Sequence, residues 1–127
     1  MHFIAILTYC PIVSFETPAA APIETKILEY FASLDIPILE VFGQSECSGP
    51  HTTNEFLGWK IGTVGRPLPG TVTKIDPENG ELIYSGRHIF AGYMNMPEKT
   101  KETIDSDGFL HSGDVVTVSD QYISSYS

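Results

Sequence analysis

Residues 3–15 are a nearly unbroken run of apolar, β-branched and aromatic side chains interrupted at Pro11, the pattern of a buried strand. After Thr17-Pro18-Ala19-Ala20-Ala21-Pro22 the period changes. Ile23, Ile27, Tyr30, Phe31 and Leu34 then recur at helical spacing, which predicts a helix over 22–34 with Pro22 near its first turn and one apolar face. Asp35 leads into Ile36-Pro37-Ile38-Leu39-Glu40-Val41-Phe42, closed by Gly43, a run suited to a strand inside an α/β sheet, with an exposed loop after it. Gly58, Gly62, Gly65, Pro67, Pro69 and Gly70 break regular structure and mark a passage between subdomains. Strands over 71–75 and 81–85 flank Asp76-Pro77-Glu78-Asn79-Gly80, whose turn residues predict a hairpin with a loop longer than two residues. A short helix over 97–104, a turn at Asp105-Ser106-Asp107-Gly108 and a strand over 115–118 follow. Gln121 to Ser127 carries no packing pattern, and there is no internal repeat.

Composition narrows the classes. A chain of 127 residues with 42% hydrophobic and 18% charged residues has the balance of one globular domain and is too short for a two-domain enzyme with a site between the domains. Seven Lys and Arg stand against sixteen Asp and Glu, a net charge of −9, which repels polyanions and offers no basic face to a membrane. A single phosphate held by local N–H groups is still compatible with that charge. Cys10 and Cys47 form no CxxC pair, which suits a reducing compartment. The apolar stretch from Phe3 to Val13 lacks a basic flank and is too short to span a bilayer, so neither a signal peptide nor a transmembrane helix is predicted and the cytoplasm is the expected location.

Candidate chemistry lies where the 36–42 strand ends. Gln44-Ser45-Glu46 follows Gly43 at the C-terminal edge of a strand, a position where α/β sheets bind ligands. A Ser hydroxyl donates to phosphate oxygens, and a carboxylate beside it suits Mg²⁺, which takes one or two carboxylates together with phosphate oxygens. A polar loop after a buried strand accounts for the same residues without any ligand. Cys47, His51, His88 and His111 are zinc-ligating types, although packed or exposed histidines explain them as well. No Ser-His-Asp triad is legible, and Met94 and Met96 read as packing residues.

Taken together, Phe42-Gly43-Gln44-Ser45-Glu46 resembles the Tyr-Gly-x-Thr-Glu motif of the adenylate-forming superfamily of acyl-CoA synthetases, luciferases and peptide-synthetase adenylation domains. Three further stretches agree in order. Ala19-Ala20-Ala21-Pro22 resembles the Gly-Ala-Ala-Pro segment that lies against adenine. Gly80-Glu81-Leu82-Ile83-Tyr84-Ser85-Gly86-Arg87 with Gly92-Tyr93 is similar to the Gly-Glu…Gly-Tyr stretch, and Gly108-Phe109-Leu110-His111-Ser112-Gly113-Asp114 to the Gly-aromatic-x-x-Ser/Thr-Gly-Asp motif. Leu34-Asp35-Ile36-Pro37, Ser45 to Thr52 and Gly86 to Tyr93 narrow the resemblance to bubblegum-type long-chain fatty-acid CoA ligases.

The resemblance covers 17–118 and implies an α/β fold: a C-terminal fragment of the adenylate-forming large domain, with a helix and strand of an α/β layer followed by a β-rich subdomain. It divides the chain into an unmatched segment 1–16, an α/β segment 17–60 with the nucleotide and Mg²⁺ loop, a β-rich subdomain 61–118 with the ribose motif, and an unmatched tail 119–127. The implied ligands are ATP, Mg²⁺, coenzyme A as co-substrate and a fatty acid, with no nucleic acid. By the same resemblance Phe42 stacks on adenine beside Ala20 and Ala21, Gly43 and Gln44 line the nucleotide, Ser45 touches the α-phosphate, Glu46 binds Mg²⁺ and Asp114 grips the ribose. Ser45 and Glu46 are thus the expected catalytic pair, and His51 is a candidate for lining the acyl or adenylate pocket. Ala19 departs from the family's Gly, and the Lys-bearing phosphate loop and the hinge and lid Lys have no counterpart in the sequence. The expected product is therefore a partial fatty-acid CoA ligase that makes no acyl-CoA alone and exposes unpaired edges of the 36–42 strand. The alternative is a non-catalytic truncated paralogue or gene-model fragment acting as a binding module. Peripheral association with the endoplasmic reticulum membrane is open to the parent enzyme.

Overall fold

A computed structural model describes residues 2–10, 13–19, 23–55 and 58–126. The elements are β1 (His2–Cys10), β2 (Val13–Ala19), α1 (Thr25–Ser33), β3 (Ile38–Gln44), a 3₁₀ turn (Ser45–Cys47), β4 (Gly49–Thr53), β5 (Arg66–Pro67), β6 (Val72–Ile75), β7 (Glu81–Ser85), α2 (Pro97–Thr103), β8 (Leu110–Ser119) and β9 (Tyr122–Tyr126). They build a five-stranded sheet ordered β2-β1-β3-β4-β5 and a four-stranded sheet ordered β6-β7-β8-β9, with every described pairing antiparallel.

Several sequence expectations change here. The single strand expected over 3–15 is a hairpin of β1 and β2, and β1 lies along β3, pairing Ile4 with Phe42 and Leu7 with Leu39. β3 is therefore flanked on both sides, by β1 and β4, and its edges are not left open. β4 was expected as loop; it contains Gly49-Pro50-His51-Thr52-Thr53, with no aliphatic residue to announce a strand, and forms because it lies along β3. A bulge at Phe42/Gly43 brings the two backbones so close that a Cβ on Gly43 would run into the Gly49 carbonyl, so only glycine fits.

In the second sheet the 76–80 loop behaves as its composition suggests. Asp76 Oδ1 accepts the Glu78 N–H at 2.8 Å, Asn79 Oδ1 accepts the Glu81 N–H at 2.8 Å, and Gly80 takes φ +75°. The strand expected over 115–118 runs from Leu110 to Ser119, and the tail expected to lack a packing pattern returns along it as β9. The turn between them places Asp120 and Gln121 at φ +52° and +71°, the conformation of a two-residue hairpin turn, without the Gly or Asn that usually signals one.

The core lies where the two sheets meet. Phe42 and Cys47 pack with Val64, Leu82, Tyr84, Leu110, Val116 and Ile123, against which Ile75, Ile89 and Phe90 close. Ile123 reaches back to the crossing segment through paired backbone bonds with Val64 and Gly65, at 2.8 and 2.9 Å. Helix α1 buries Leu28, whereas Ile27, Tyr30 and Leu34 of the expected apolar face point outward.

Candidate functional site

The end of β3 delivers the candidate residues in alternating directions. Gln44, 5% exposed, turns inward and its Nε2 donates to the Tyr84 hydroxyl at 2.7 Å. Ser45 then opens the 3₁₀ turn with its side chain exposed, and Glu46 is half-buried beside it. The turn is closed from beneath by Cys47: its thiol accepts the Gln44 N–H at 3.3 Å and donates to the carbonyls of Gln44 and Gly49 at 3.2 and 3.0 Å. Ser48 at φ +59° ends the turn and starts β4.

The loop after β7 grips the same turn from outside. Phe90 N–H donates to the Glu46 carbonyl at 2.8 Å, and the Tyr93 hydroxyl donates to Glu46 Oε1 at 2.6 Å. That bond to the carboxylate, followed by burial, pushes the Tyr93 pKa up. Gly92-Tyr93 is part of the motif noted in the sequence, but the role of Tyr93 as a partner of Glu46 is visible only after folding.

Asp114 sits on β8, behind a second set of bonds. Its N–H donates to Ser112 Oγ at 3.1 Å, while Glu81 on β7 accepts the Gly113 N–H at 2.8 Å and pairs with His111 Nδ1 at 3.1 Å. Glu81 thus holds the backbone immediately before Asp114. Burial, then the Cys47 thiol and last the Asp114 charge push the pKa of the Tyr84 phenol up. Tyr84, bonded to Gln44 through its hydroxyl and paired in register with Leu110, stands between the turn and the strand that carries Asp114.

Phe42 is 2% exposed and packed within the core, so its ring backs the turn and presents no face to a base, unlike the stacking role expected of it. Gly43 contributes close backbone approach to β4. Ala20 and Ala21 lie outside the described residues. Of the four zinc-ligating types, only His51 and His88 come together: Nδ1 of one and Nε2 of the other are 3.2 Å apart, and Thr73 Oγ1 lies 3.0 Å from the second nitrogen of His51. Cys47 is engaged with backbone carbonyls and His111 with Glu81, and among the described residues no three ligating side chains gather around one point. His51 is fully buried and stacked on Tyr84 with ring centroids 3.8 Å apart; burial and then His88 lower its pKa to about 4.

Comparison with known proteins gives consistent matches. The family described as AMP-binding enzyme matches residues 9–94, beginning inside the segment expected to be unmatched. The long-chain-fatty-acid–CoA ligase ACSBG2 of Gallus gallus is 49% identical over 100 residues, covering 76% of this chain and 13% of the relative. Long-chain-fatty-acid–CoA ligase 5 of Mus musculus is 36% identical over 107 residues, covering 76% and 16%. The chain therefore spans less than a fifth of the length of these relatives. Apo MatB from Rhodopseudomonas palustris superposes with a TM-score of 0.73 at 31% identity, over 84% of this chain and 24% of that one. A malonyl-CoA ligase with methylmalonyl-CoA and AMP bound gives 0.74 at 28% identity, over 84% and 25%. No helix among the described residues is long and apolar enough to cross a membrane.

Proposed function

The chain belongs to the AMP-binding enzyme family, and from that membership we propose that it carries part of the nucleotide site of a long-chain fatty-acid–CoA ligase. In such an enzyme the fatty-acid carboxylate attacks the α-phosphorus of ATP, releasing pyrophosphate, and the thiol of coenzyme A then displaces AMP from the acyl adenylate. The observation that carries the reading is that the exposed Ser45 and half-buried Glu46 share the turn after β3, with Glu46 Oε1 held by the Tyr93 hydroxyl from the loop after β7, while Asp114 sits on β8, the strand paired with β7.

Ser45 Oγ is the donor to an α-phosphate oxygen, and Asp114 accepts from the two ribose hydroxyls, a charged acceptor strengthening both bonds. By family membership Ala20 and Ala21 are assigned to the adenine side, and the backbone of Gly43 and Gln44 runs along the nucleotide with Phe42 as its packed backing. The donor set suits Mg²⁺: Glu46 is one hard carboxylate, oriented by Tyr93, and such an ion fills its remaining positions with phosphate oxygens and water. When bound, Mg²⁺ would supply positive charge beside the phosphates. In this reading 17–60 contributes the phosphate and metal side and 61–118 the ribose side. A cytoplasmic location goes with this reading, and peripheral contact with the endoplasmic reticulum membrane is open to the parent enzyme.

The test grafts residues 17–118 into the corresponding segment of an active long-chain fatty-acid–CoA ligase and varies ATP and Mg²⁺ independently. Glu46→Gln should lower the adenylation rate by about two to four powers of ten with little change in nucleotide affinity, because metal charge stabilisation is worth several kcal/mol. Asp114→Ala should mainly raise the ATP requirement, at about 1.5–3 kcal/mol for each charge-assisted bond lost. An active graft indifferent to both changes would sink the assignment.

A further inference from the structure

Beneath the proposed nucleotide residues Gln44 leads into a connected set of side chains, Tyr84, His51, Thr73 and His88. Tyr84 is fully buried, and its hydroxyl is the acceptor for Gln44 Nε2. One face of its ring is covered by His51 at a 13° interplanar angle. His51 has neither ring nitrogen to spare, one being 3.2 Å from His88 Nε2 and the other 3.0 Å from Thr73 Oγ1. The set therefore runs from the start of the Ser45-Glu46 turn, through a phenol and an imidazole, to β6 and the 86–90 loop.

We propose that Tyr84 and His51 are positioning residues for the phosphate end of the nucleotide: His51, fixed by Thr73 and His88, holds the Tyr84 ring, and the Tyr84 hydroxyl fixes Gln44 and with it the Ser45-Glu46 turn. The inference rests on the nucleotide reading. Neither residue touches the ligand; each acts through the next. The direction of action follows from the bonds. Tyr84 is hydrogen-bonded to the residue that begins the turn, whereas the Asp114 backbone is held separately by Ser112 and, one residue earlier, by Glu81. Loss of the Tyr84 hydroxyl frees a buried carboxamide donor at the base of the turn and leaves the backbone bonds of Gly113 and Asp114 to Glu81 and Ser112 in place. A phenol serves here where an apolar residue would fill the same space, because an amide N–H buried at this point needs an acceptor.

The experiment titrates the full 127-residue chain with AMP and, separately, with adenosine by isothermal calorimetry. The two ligands share base and ribose and differ only in the phosphate. Tyr84→Phe should weaken AMP about tenfold while adenosine stays within twofold, and Asp114→Asn should weaken both. A second pair reads the outer end of the set without disturbing the turn directly: Thr73→Val should weaken AMP about threefold, and Thr73→Ser, which keeps the hydroxyl, should restore it. The inference is overturned if AMP and adenosine weaken together in Tyr84→Phe, if neither changes, or if Thr73→Ser behaves like Thr73→Val. Should Tyr84→Phe fail to fold, the Thr73 pair decides alone. Should the wild-type chain bind neither ligand, the Tyr84 and Thr73 variants are read in the active graft of residues 17–118: an unchanged ATP requirement there overturns the inference alone, and indifference to Glu46→Gln and Asp114→Ala overturns the nucleotide reading with it. Wild-type binding with unchanged variants overturns only the inference.

Discussion

Helix α1 leaves Ile27, Tyr30 and Leu34 between 46% and 61% exposed, while Gln44, His51 and Thr52, all polar, are 5% exposed or less. The difference teaches that side-chain polarity sets the cost of burial and local geometry decides whether that cost is met. Each buried polar group has a partner: Thr52 Oγ1 donates to the Val64 carbonyl at 2.6 Å, Gln44 to Tyr84, and His51 contacts Thr73 and His88. The exposed residues of α1 have no covering layer among the described residues and retain an apolar face in water. The polar cluster is thus specific and the apolar helix face is not, because hydrogen bonds demand particular atoms and apolar burial only demands coverage.

The sharpest way to break this comparison is to remove the centre of the polar cluster. Tyr84→Ala deletes a fully buried aromatic ring, the acceptor of Gln44 and the stacking partner of His51, and should cost about 3–5 kcal/mol. Urea denaturation would record that as a lower midpoint or as loss of the cooperative transition. An effect below 1 kcal/mol would show that the cluster is no more specific than the helix face.

The next effect is read by pH. Burial, aided by His88, holds the His51 pKa near 4 against an ordinary 6.5, and burial raises Glu40 to about 7 from 4.5, against the lowering influence of the Ile23 backbone bond. For His51 the unfolded chain binds a proton between those values that the folded chain refuses, so its contribution is present above pH 6.5 and is lost as pH falls toward 4. Glu40 runs the other way. Its folded form keeps a proton that the unfolded chain releases, so its contribution is present below pH 4.5 and is lost as pH rises toward 7. At 1.36 kcal/mol per pKa unit each slope amounts to about 3 kcal/mol, and the two oppose each other. The wild-type melting temperature should therefore change little between pH 4.5 and 6.5, with a small fall on acidification contributed by the lowered pKa of His88. Glu40→Gln should make it fall on acidification, a slope to which the lowered pKa of His88 adds, and His51→Gln should make it rise. Parallel curves for the two variants would refute the assignment.

The smallest effect belongs to the helix. Ile27→Ser and Tyr30→Ser remove exposed apolar groups and should each change stability by no more than about 0.5 kcal/mol. Chemical denaturation of each at two protein concentrations checks this. A concentration-dependent loss above 1.5 kcal/mol would mean that the α1 face is covered in solution by a second copy of the chain.

Much of this was legible from the residues because the signals were local. The helical spacing from Ile23 to Leu34 is close to α1, and Asn79-Gly80 marks the β6–β7 turn that forms. Where local signals were weak, elements were missed. β4 has no apolar alternation, and the β8–β9 turn uses Asp120 and Gln121 in left-handed backbone conformations that neither residue announces. β9 then enters the core through Ile123, a residue whose lone apolar position among Ser and Tyr predicted nothing.

The amino-acid order alone carried the motif sequence that places this chain among AMP-binding enzymes and the identity of Ser45, Glu46 and Asp114, whereas the need for glycine at position 43 comes from the close approach of β4. Tertiary structure decided which way each side chain faces and what it meets. Gln44 turns to Tyr84 across 40 residues of sequence, His51 meets His88 across 37, and Glu46 meets Tyr93 across 47. Periodicity and composition report the energetics of neighbours along the chain. They carry no record of contacts whose partners are brought together only when two sheets close on one core, and at this site those contacts hold Gln44, Glu46 and His51.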